Sequence, residues 1–257
     1  MADITAGGER FDFGRVVGHT FGLIGRNFVL FLVLAIIFVG LPQFAVSYGQ
    51  ILIRDAQPEL VGWIPIVGLV VSLVTAYILQ GALTRAAIDD LSGKGVRLGA
   101  ALSDGFSFFF PLFVVALLVG LGLMIGFLLL IIPGIILAVR WAVSAAVVVA
   151  EREGPTSAIG RSSELTAGYR WAIFGLLLLY IVLAYAVTIG LALAVRTFGG
   201  DAETVAFDTI GIVYGVVSAL SSSLLTLIST VGTASLYFEL RRVKDGVSVE
   251  DLAKVFD

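Results

Sequence analysis

Long stretches without a charged residue dominate the chain and alternate with short segments that carry the charges. The uncharged runs cover residues 27–53, 60–84, 105–139 with a continuation at 141–150, 171–195 and 209–238. A helix that crosses the ~30 Å hydrocarbon layer of a bilayer needs only about 20 apolar residues. The run from 105 to 150 is long enough for two crossings. The pattern therefore predicts six membrane-spanning helices, at about 28–48, 62–84, 108–131, 133–150, 172–195 and 209–238.

No polar loop separates the third predicted span from the fourth. Proline lacks a backbone N–H and glycine tolerates positive φ, so the sequence Ile132, Pro133, Gly134 predicts a tight reversal and a close hairpin of spans three and four. The sixth uncharged run would be about 45 Å long as a helix. Because a bilayer needs less than this, we expect the sixth span to tilt or to project from the membrane.

A short segment before each odd-numbered span has the pattern of a surface helix. Before span one, Asp12 suits the N-cap position. Residues 96–106 and 155–169 lie in the equivalent places before spans three and five, where Pro155 suits a first helical turn and Gly168 a C-terminal cap. In the first segment, residues spaced three or four apart place one apolar face into the headgroup layer: Phe13, Val17, Phe21, Ile24 and Phe28.

These elements predict an all-α membrane protein, a single polytopic domain over residues 1–257. Its six transmembrane helices form three hairpins, each preceded by a short amphipathic interfacial helix. Each helix and its hairpin would make one of three pseudo-repeats, roughly 11–90, 96–153 and 155–244.

The basic residues between the spans fall on alternate sides. One side carries Arg10, Arg15, Arg26, Arg85, Lys94, Arg97, Arg152, Arg161, Arg170, Arg241, Arg242, Lys244 and Lys254, whereas the linkers on the other side carry only Arg54 and Arg196. By the positive-inside rule, this predicts a multi-pass protein of a bacterial-type inner membrane with both termini in the cytoplasm. The net charge is −3 and the basic residues are spread thinly, which argues against a nucleic-acid partner.

The composition restricts the chemistry. The chain has no cysteine and one histidine, His19, so it offers neither a thiolate nucleophile nor a metal-ligand cluster. A nucleophile, a base and an orienting group cannot be assembled from these residues, so we expect no enzyme and infer no cofactor. His19, on the first surface helix, is expected to face solvent or lipid headgroups.

One part of the chain is similar to a known family. Residues 132–179 contain Pro133-Gly134, a span that ends from Val147 to Glu151, Gly154-Pro155 and the run RSSELTAG at 161–168. This arrangement resembles the membrane domain associated with glycerophosphoryl diester phosphodiesterases, and the opening FDFGRVVGHTFGLIGRNF also looks like that family. The phosphodiesterases of that name resemble a separate TIM barrel, which takes ~250 residues by itself. The resemblance therefore implies a membrane module without the catalytic half, with some connection to lipids.

Arg140 stands inside the fourth span, roughly 10 Å along the helix from Pro133. A guanidinium there costs at least ~2.5 kcal/mol and needs a partner. That partner would be Asp208, Asp201 or Glu203, a group of backbone carbonyls, or the phosphate of a lipid or substrate. Alternatively, Arg140 snorkels beside Trp141 or pins two helices together.

Two further sets of residues invite a role. Glu151, Arg161 and Glu164 form a charge network at the cytoplasmic face, which either joins the surface helix to the spans or binds a lipid headgroup. Small residues share one face of span six, where they indicate either a packing seam or a polar path: Gly211, Gly215, Ser218, Ser222 and Thr226, continued by Ser229 and Thr233.

The function that the sequence favours is a non-enzymatic, lipid-associated or scaffolding module of the inner membrane. A transporter, channel or lipid-moving protein is the alternative, because such proteins use broken helices and midplane charges. An intramembrane enzyme fits least well. The expected partners are membrane lipids, and the sequence leaves open a homo-oligomer or a membrane protein complex.

Overall fold

The computed structural model describes residues 11–54, 62–198 and 207–246, and within these ranges the protein is entirely helical. The helices are α1 (Phe13–Arg26), α2 (Phe28–Ala35), α3 (Leu41–Arg54), α4 (Trp63–Leu91), α5 (Leu98–Ser107), α6 (Phe109–Leu129), α7 (Ile131–Arg140), α8 (Ser144–Glu151), α9 (Pro155–Leu165), α10 (Arg170–Phe198) and α11 (Phe207–Asp245). A π-helical turn, Ile36–Gly40, joins α2 to α3.

Six helical segments of the described chain are long and apolar enough to cross a membrane. They are Phe28–Gln50, Trp63–Leu91, Phe109–Leu129, Ile131–Glu151, Arg170–Ala194 and Gly211–Asp245. The prediction of an all-α protein is thus confirmed, with six helices that are long and apolar enough to span a membrane. Helices α4 and α11 each continue about seven residues past the predicted ends of their spans, because their last turns carry charged side chains that pair with other helices.

The reversal between α6 and α7 lies three residues earlier than predicted. The chain turns at Leu130, whose backbone is extended (φ −165°, ψ 153°), and Pro133 and Gly134 already belong to the first turn of α7. Proline is tolerated there because the first N–H groups of a helix have no intrahelical partner. Gly134 is needed for a different reason than a turn: a Cβ on Gly134 would lie 2.5 Å from the Phe127 ring.

The fourth span is interrupted. Helix α7 ends at Arg140 and α8 begins at Ser144, so a single helix over 133–150 is not what the chain forms. Neither proline nor glycine stands at Trp141, Ala142 or Val143. Neither residue therefore accounts for the break, and hydroxyls of the neighbouring helix α9 bond to its backbone groups.

A short helix precedes each of α2, α6 and α10. Asp12 caps α1 as its position predicts, because its carboxylate accepts a hydrogen bond from the Arg15 N–H at 3.1 Å. The face that α1 buries against α11 and α4 is offset from the predicted stripe and consists of Val16, Thr20, Leu23 and Ile24. Phe13, Phe21 and Phe28 of the predicted stripe are exposed, and their position in the headgroup layer stays a prediction.

The buried core lies at one end of the bundle. There the short helices α1, α5 and α9 meet the last turns of α4, α8 and α11, and we name this region the charged end. Almost every residue in 78–89, 143–150 and 234–240 is buried. At the opposite end, where α6 turns into α7, large apolar side chains from Leu128 to Ile132 are exposed.

Candidate functional site

A carboxylate at the charged end joins the first helix to the last. Glu239 of α11 is fully buried and accepts hydrogen bonds from Arg15 Nη2 at 2.9 Å, from Arg242 Nη2 at 3.1 Å and from the Asp12 backbone N–H at 3.1 Å. A carboxylate without water is stable only when donors satisfy its oxygens in this way. Glu239 thereby fastens the N-terminal end of α1.

The other end of α1 is fastened to α4. Arg26 Nη2 lies 2.6 Å from Asp90 Oδ2, and the Asn27 side-chain amide donates to Asp90 Oδ1 at 3.3 Å. Helix α1 therefore lies across the charged end between two ion pairs, one with the last helix and one with α4.

A second buried pair fastens α5. Arg85 of α4 is 3.1 Å from Asp89 on its own helix and 3.3 Å from Asp104 of α5, and all three side chains are largely or fully buried. Close backbone approach reinforces this contact, because a Cβ on Gly105 would lie only 2.6 Å from the Ile78 carbonyl oxygen. Arg152 contributes weakly at 3.9 Å from Asp104.

A third cluster fastens α9 and includes the predicted charge network. Arg161 Nε donates to Glu151 Oε2 at 3.1 Å, and its Nη2 pairs with Asp245 at the end of α11. Tyr237, a buried side chain, donates its hydroxyl to Glu151 at 2.9 Å and accepts from Arg241 at 3.1 Å. The cluster thus joins α8, α9 and α11.

Glu164 is less engaged than the other two predicted members of this network. It lies 3.8 Å from Arg161 and is 74% exposed. Burial alone would lower the pKa of the Arg161 guanidinium, but the charges and hydrogen bonds of Glu151 and Asp245 outweigh burial and raise the pKa. Arg161 is therefore held in its charged form by the helices that it joins.

Hydroxyls of α9 form hydrogen bonds with the backbone groups at the break in the fourth span. Ser162 donates to the Arg140 carbonyl oxygen at 2.9 Å and accepts a hydrogen bond from the Val143 N–H at 3.3 Å. Thr166 donates to the same carbonyl at 3.3 Å, and both hydroxyl residues are fully buried. A helix interruption leaves backbone groups without intrahelical partners, and here α9 supplies those partners.

Arg140 and Trp141 flank this break but differ in their surroundings. The Trp141 ring lies over Gly122 of α6, where an added Cβ would come within 2.3 Å of it. Arg140 is partly buried, and its Nε atom has no hydrogen-bond partner in the part of the chain that the structure describes. Of its predicted partners, Asp201, Glu203 and the side chain of Asp208 lie outside the described residues. Arg140 is thus a cation with donor capacity to spare.

The small-residue face predicted for the sixth span lies beside the most buried face of α11. Gly215 is buried near Phe44 and Ser47 of α3, whereas Gly211, Ser218, Ser222 and Thr226 are partly buried. The fully or nearly buried row is Gly215, Ala219, Ser223 and Leu227. Ser223 donates to the Ala35 carbonyl at 3.2 Å and to Ala219 at 2.8 Å, so it joins α11 to the π-helical turn region of the first span.

A groove of about 130 Å³ lies between α1, α10 and α11, with Ala142 from the break contributing to its lining. Apolar side chains make up most of the wall. The polar groups that line it are uncharged: the hydroxyls of Thr20, Tyr180, Ser229 and Thr233. The groove therefore offers an apolar space with a few hydrogen-bonding groups and no charge.

His19 does not face a metal site. Its ring makes an edge contact with Phe238, with the centroids 6.2 Å apart, and its Nδ1 atom is buried. Burial lowers the pKa of His19, with Glu239 acting in the opposite direction and Arg15, Arg242 and Arg26 adding to the lowering. Among the described residues, no group of three His, Asp or Glu side chains is placed to hold a metal ion.

Sequence reasoning missed Glu239, Ser162 and Thr166, which carry the principal contacts of the charged end and of the break. Ser162 and Thr166 stand within the run RSSELTAG, which carries the family resemblance. The sequence did not indicate that their hydroxyls would bond to the backbone of the fourth span. Comparison of the chain with protein-family models, curated proteins and solved structures finds no match.

Proposed function

We propose that this protein is a non-enzymatic, lipid-associated module of a bacterial-type inner membrane. The observation that carries the proposal is how the polar groups are distributed: the ionisable side chains of the charged end pair with one another to fasten helices, and the groove beside them is lined without charge. In such an arrangement, the ion pairs fix the helices relative to one another at one membrane face. The apolar surfaces remain available for contact with lipid.

The charged end lies on the cytoplasmic side in this proposal, together with both termini. The support is the sequence distribution of Lys and Arg, which favours this end, as expected of cytoplasmic segments. The short helices α1, α5 and α9 lie at the interface, each ahead of one helical hairpin. Exposed aromatic side chains near their ends support this position, because aromatic rings favour the headgroup level: Phe13, Phe21, Phe106 and Trp171.

Arg140, together with the neighbouring Trp141, is the site that we assign to a lipid or similar anion. The support is the combination of a partly buried guanidinium, an unpaired Nε among the described residues and an apolar span. A phosphate oxygen would satisfy the spare donors, whereas an isolated guanidinium would be costly. The resemblance of residues 132–179 to the phosphodiesterase-associated membrane domain agrees with a connection to lipids.

A transporter or lipid-moving protein is the second candidate, and the broken fourth span is the observation that favours it. In transporters, the backbone groups of a broken helix face the substrate. Here the Arg140 carbonyl and the Val143 N–H are already bonded to Ser162. The break is therefore better explained as the place where α9 docks.

The test compares lipid retained by the purified protein. We expect the native chain to carry phospholipid through purification in a mild detergent, and Arg140→Leu to bind the phospholipid at this position about tenfold more weakly, equivalent to ~1.4 kcal/mol. Arg140→Lys should recover only part of it, because an ammonium cannot make the bidentate contact. The matched control is Arg196→Leu, which removes an exposed arginine from the far end of α10. Retention of lipid and of the unfolding midpoint by Arg140→Leu would reject the assignment.

The same preparations separate the two candidates. Vesicles reconstituted with the protein should neither conduct ions nor exchange fluorescent phosphatidylethanolamine between leaflets. Conduction or exchange that Arg140→Leu abolishes would instead support the second candidate.

A further inference from the structure

Among the described side chains of helix α10, only one near its first turns is buried. Its first turns are held by the buried Ile173, by Phe13 of α1 near Gly175 and by stacking of Tyr169 on Phe11. From Phe174 to Ala194, none of the side chains is buried. The groove between α1, α10 and α11 therefore lies beside a helix that leaves its remaining length open to the surroundings.

The position of the groove defines what surrounds it. Its walls on α10 run from Leu176 to Leu183 and on α11 from Ile228 to Leu236, and both stretches lie within segments that can cross a membrane. Exposed apolar side chains adjoin the opening on α10, including Leu178, Ile181 and Val182. The groove is thus continuous with the surface that the spans present to hydrocarbon.

The size of the groove limits which molecules can occupy it. The walls on α10 and α11 span eight and nine residues of helix, about 12 and 14 Å, and the groove holds about 130 Å³. An apolar cavity of about 150 Å³ admits a molecule of the size of benzene, whereas a helix about 10 Å wide and of this length occupies roughly 900 Å³. A groove of this size admits a segment of one hydrocarbon chain, but not a whole helix of a second copy.

The terminal segments of the chain itself are the remaining candidates to occupy the groove, and their charges exclude them. Residues 1–10 contain the charged side chains Asp3, Glu9 and Arg10, and residues 247–257 contain four more: Glu250, Asp251, Lys254 and Asp257. No charged residue lines the groove to receive such groups. We infer that the groove between α1, α10 and α11 binds one acyl chain of a membrane phospholipid, which enters from the bilayer past α10. This inference rests on the proposed membrane function.

The hydroxyl groups mark one side of this site. Thr20, Ser229 and Thr233 come from α1 and α11, and Tyr180 faces them from α10. Thr20 and Thr233 already donate to the Val16 and Ser229 carbonyls. The hydroxyls of Ser229 and Tyr180 can donate to the ester oxygen of a glycerolipid without requiring a charged headgroup nearby. The acyl-chain site is accordingly independent of the contact assigned to Arg140, and the two are tested separately.

The experiment uses the full chain in vesicles of phosphatidylethanolamine and phosphatidylglycerol, with a phosphatidylethanolamine that carries a diazirine midway along one acyl chain. After irradiation, peptides containing 176–183 and 228–236 should be labelled about tenfold more than the exposed face of α6 at Leu117 and Leu121. Gly232→Leu fills the groove, because its nearest neighbour from a new Cβ is Thr20 at 3.8 Å. We expect it to lower groove labelling to the level of α6.

Gly190→Leu is the matched control, since nothing lies within 4 Å of a Cβ there and α10 is exposed at that point. It should leave the labelling unchanged. Ser229→Leu is a second way to fill the groove if Gly232→Leu does not fold. Equal labelling of the groove and α6, or groove labelling that survives both filling variants, would overturn the inference.

Two further outcomes are decisive. The chain has no cysteine, so a single Leu183→Cys variant can report a second copy directly. Efficient formation of disulfide-linked dimers by Leu183→Cys would show that a neighbouring protein, and not a lipid, covers the groove. That result would overturn the inference. Arg140→Leu should leave groove labelling intact, so loss of retained lipid in that variant and loss of groove labelling identify failures of different proposals.

Discussion

The two ends of the helical bundle are built differently. In α4, residues from Ile78 to Asp89 are buried, whereas in the first half of the same helix only Gly68 is. Helix α11 repeats the contrast: residues 234–240 are all buried, whereas Ile212, Val213 and Tyr214 near its start are exposed. Each of these helices is thus buried in protein at the charged end and largely exposed at the other.

The difference follows from the solvent that each end meets. Hydrocarbon is as apolar as leucine, so the opposite end gains little by burying its side chains against one another. At the charged end, unpaired ions and backbone groups would be costly, and each must find a partner in protein or water. Tight packing is therefore concentrated where polar groups have to be satisfied.

The largest expected effect is at Glu239. Glu239→Gln leaves Arg15 and Arg242 beside an amide that cannot neutralise them, and we expect a loss of about 3 kcal/mol in unfolding free energy, at the lower limit for a broken buried pair because Arg15 is partly exposed. The control is Glu153→Gln, an exposed residue, which should change stability by less than about 0.5 kcal/mol. Unfolding in mixed micelles measures both. Similar losses of unfolding free energy in the two variants would contradict the expected difference between buried and exposed charges.

A pair of glycines compares the two ends directly. At the charged end, Gly105→Ala would place a Cβ against the Ile78 carbonyl oxygen and the Ala82 backbone, which cannot move aside. At the opposite end, Gly68→Ala meets only the side chain of Val46. We expect losses of about 2.5 and about 1 kcal/mol, respectively, within the range for overpacking. Equal losses would show that the opposite end is as rigid as the charged end.

The hydroxyl of Ser162 tests whether α9 holds the break. Ser162→Ala removes a donor from the Arg140 carbonyl and an acceptor from the Val143 N–H, and we expect a loss of about 1.5 kcal/mol. Ser163→Ala is the neighbouring control, because that hydroxyl donates only to Ile159 of its own helix, and it should be nearly neutral. Hydrogen exchange at Val143 should accelerate in the first variant alone. Unchanged exchange there would mean that the break is held by something else.

The smallest expected effect is a dependence on pH. Because the folded state lowers the pKa of His19 below its ordinary value of 6.5, the unfolded chain binds a proton more readily below that pH. Stability should therefore fall slightly as pH decreases from 6.5 through the folded-state pKa, and be unaffected by His19 above 6.5. His19→Gln should abolish this part of the slope, measured as the difference in unfolding midpoint between the two chains. A native stability that instead rises on acidification relative to His19→Gln would contradict the direction.

The six spans could be predicted from sequence because an apolar helix needs no partner to remain in lipid. The break at Trp141 to Val143 could not, because the hydroxyl that bonds to its backbone lies 19 residues away from Val143 on another helix. The buried face of α11 was also beyond prediction, since Gly215, Ala219 and Ser223 form a row of small residues beside the predicted one, and only the approach of α2 and α3 chooses between them. Glu239 showed no signal because its partner Arg15 is 224 residues away.

That separation has a consequence for how the protein is made. A ribosome adds about 5–20 residues per second, so roughly 10–45 s pass between synthesis of Arg15 and synthesis of Glu239. During this interval α1 exists without the helix on which it will pack. Its exposed Phe13, Phe21 and Phe28 give it an affinity for the bilayer surface meanwhile. We therefore expect the nascent first helix to bind the membrane surface until the last span is synthesised. Helix α11 then packs against α1 and completes the fold.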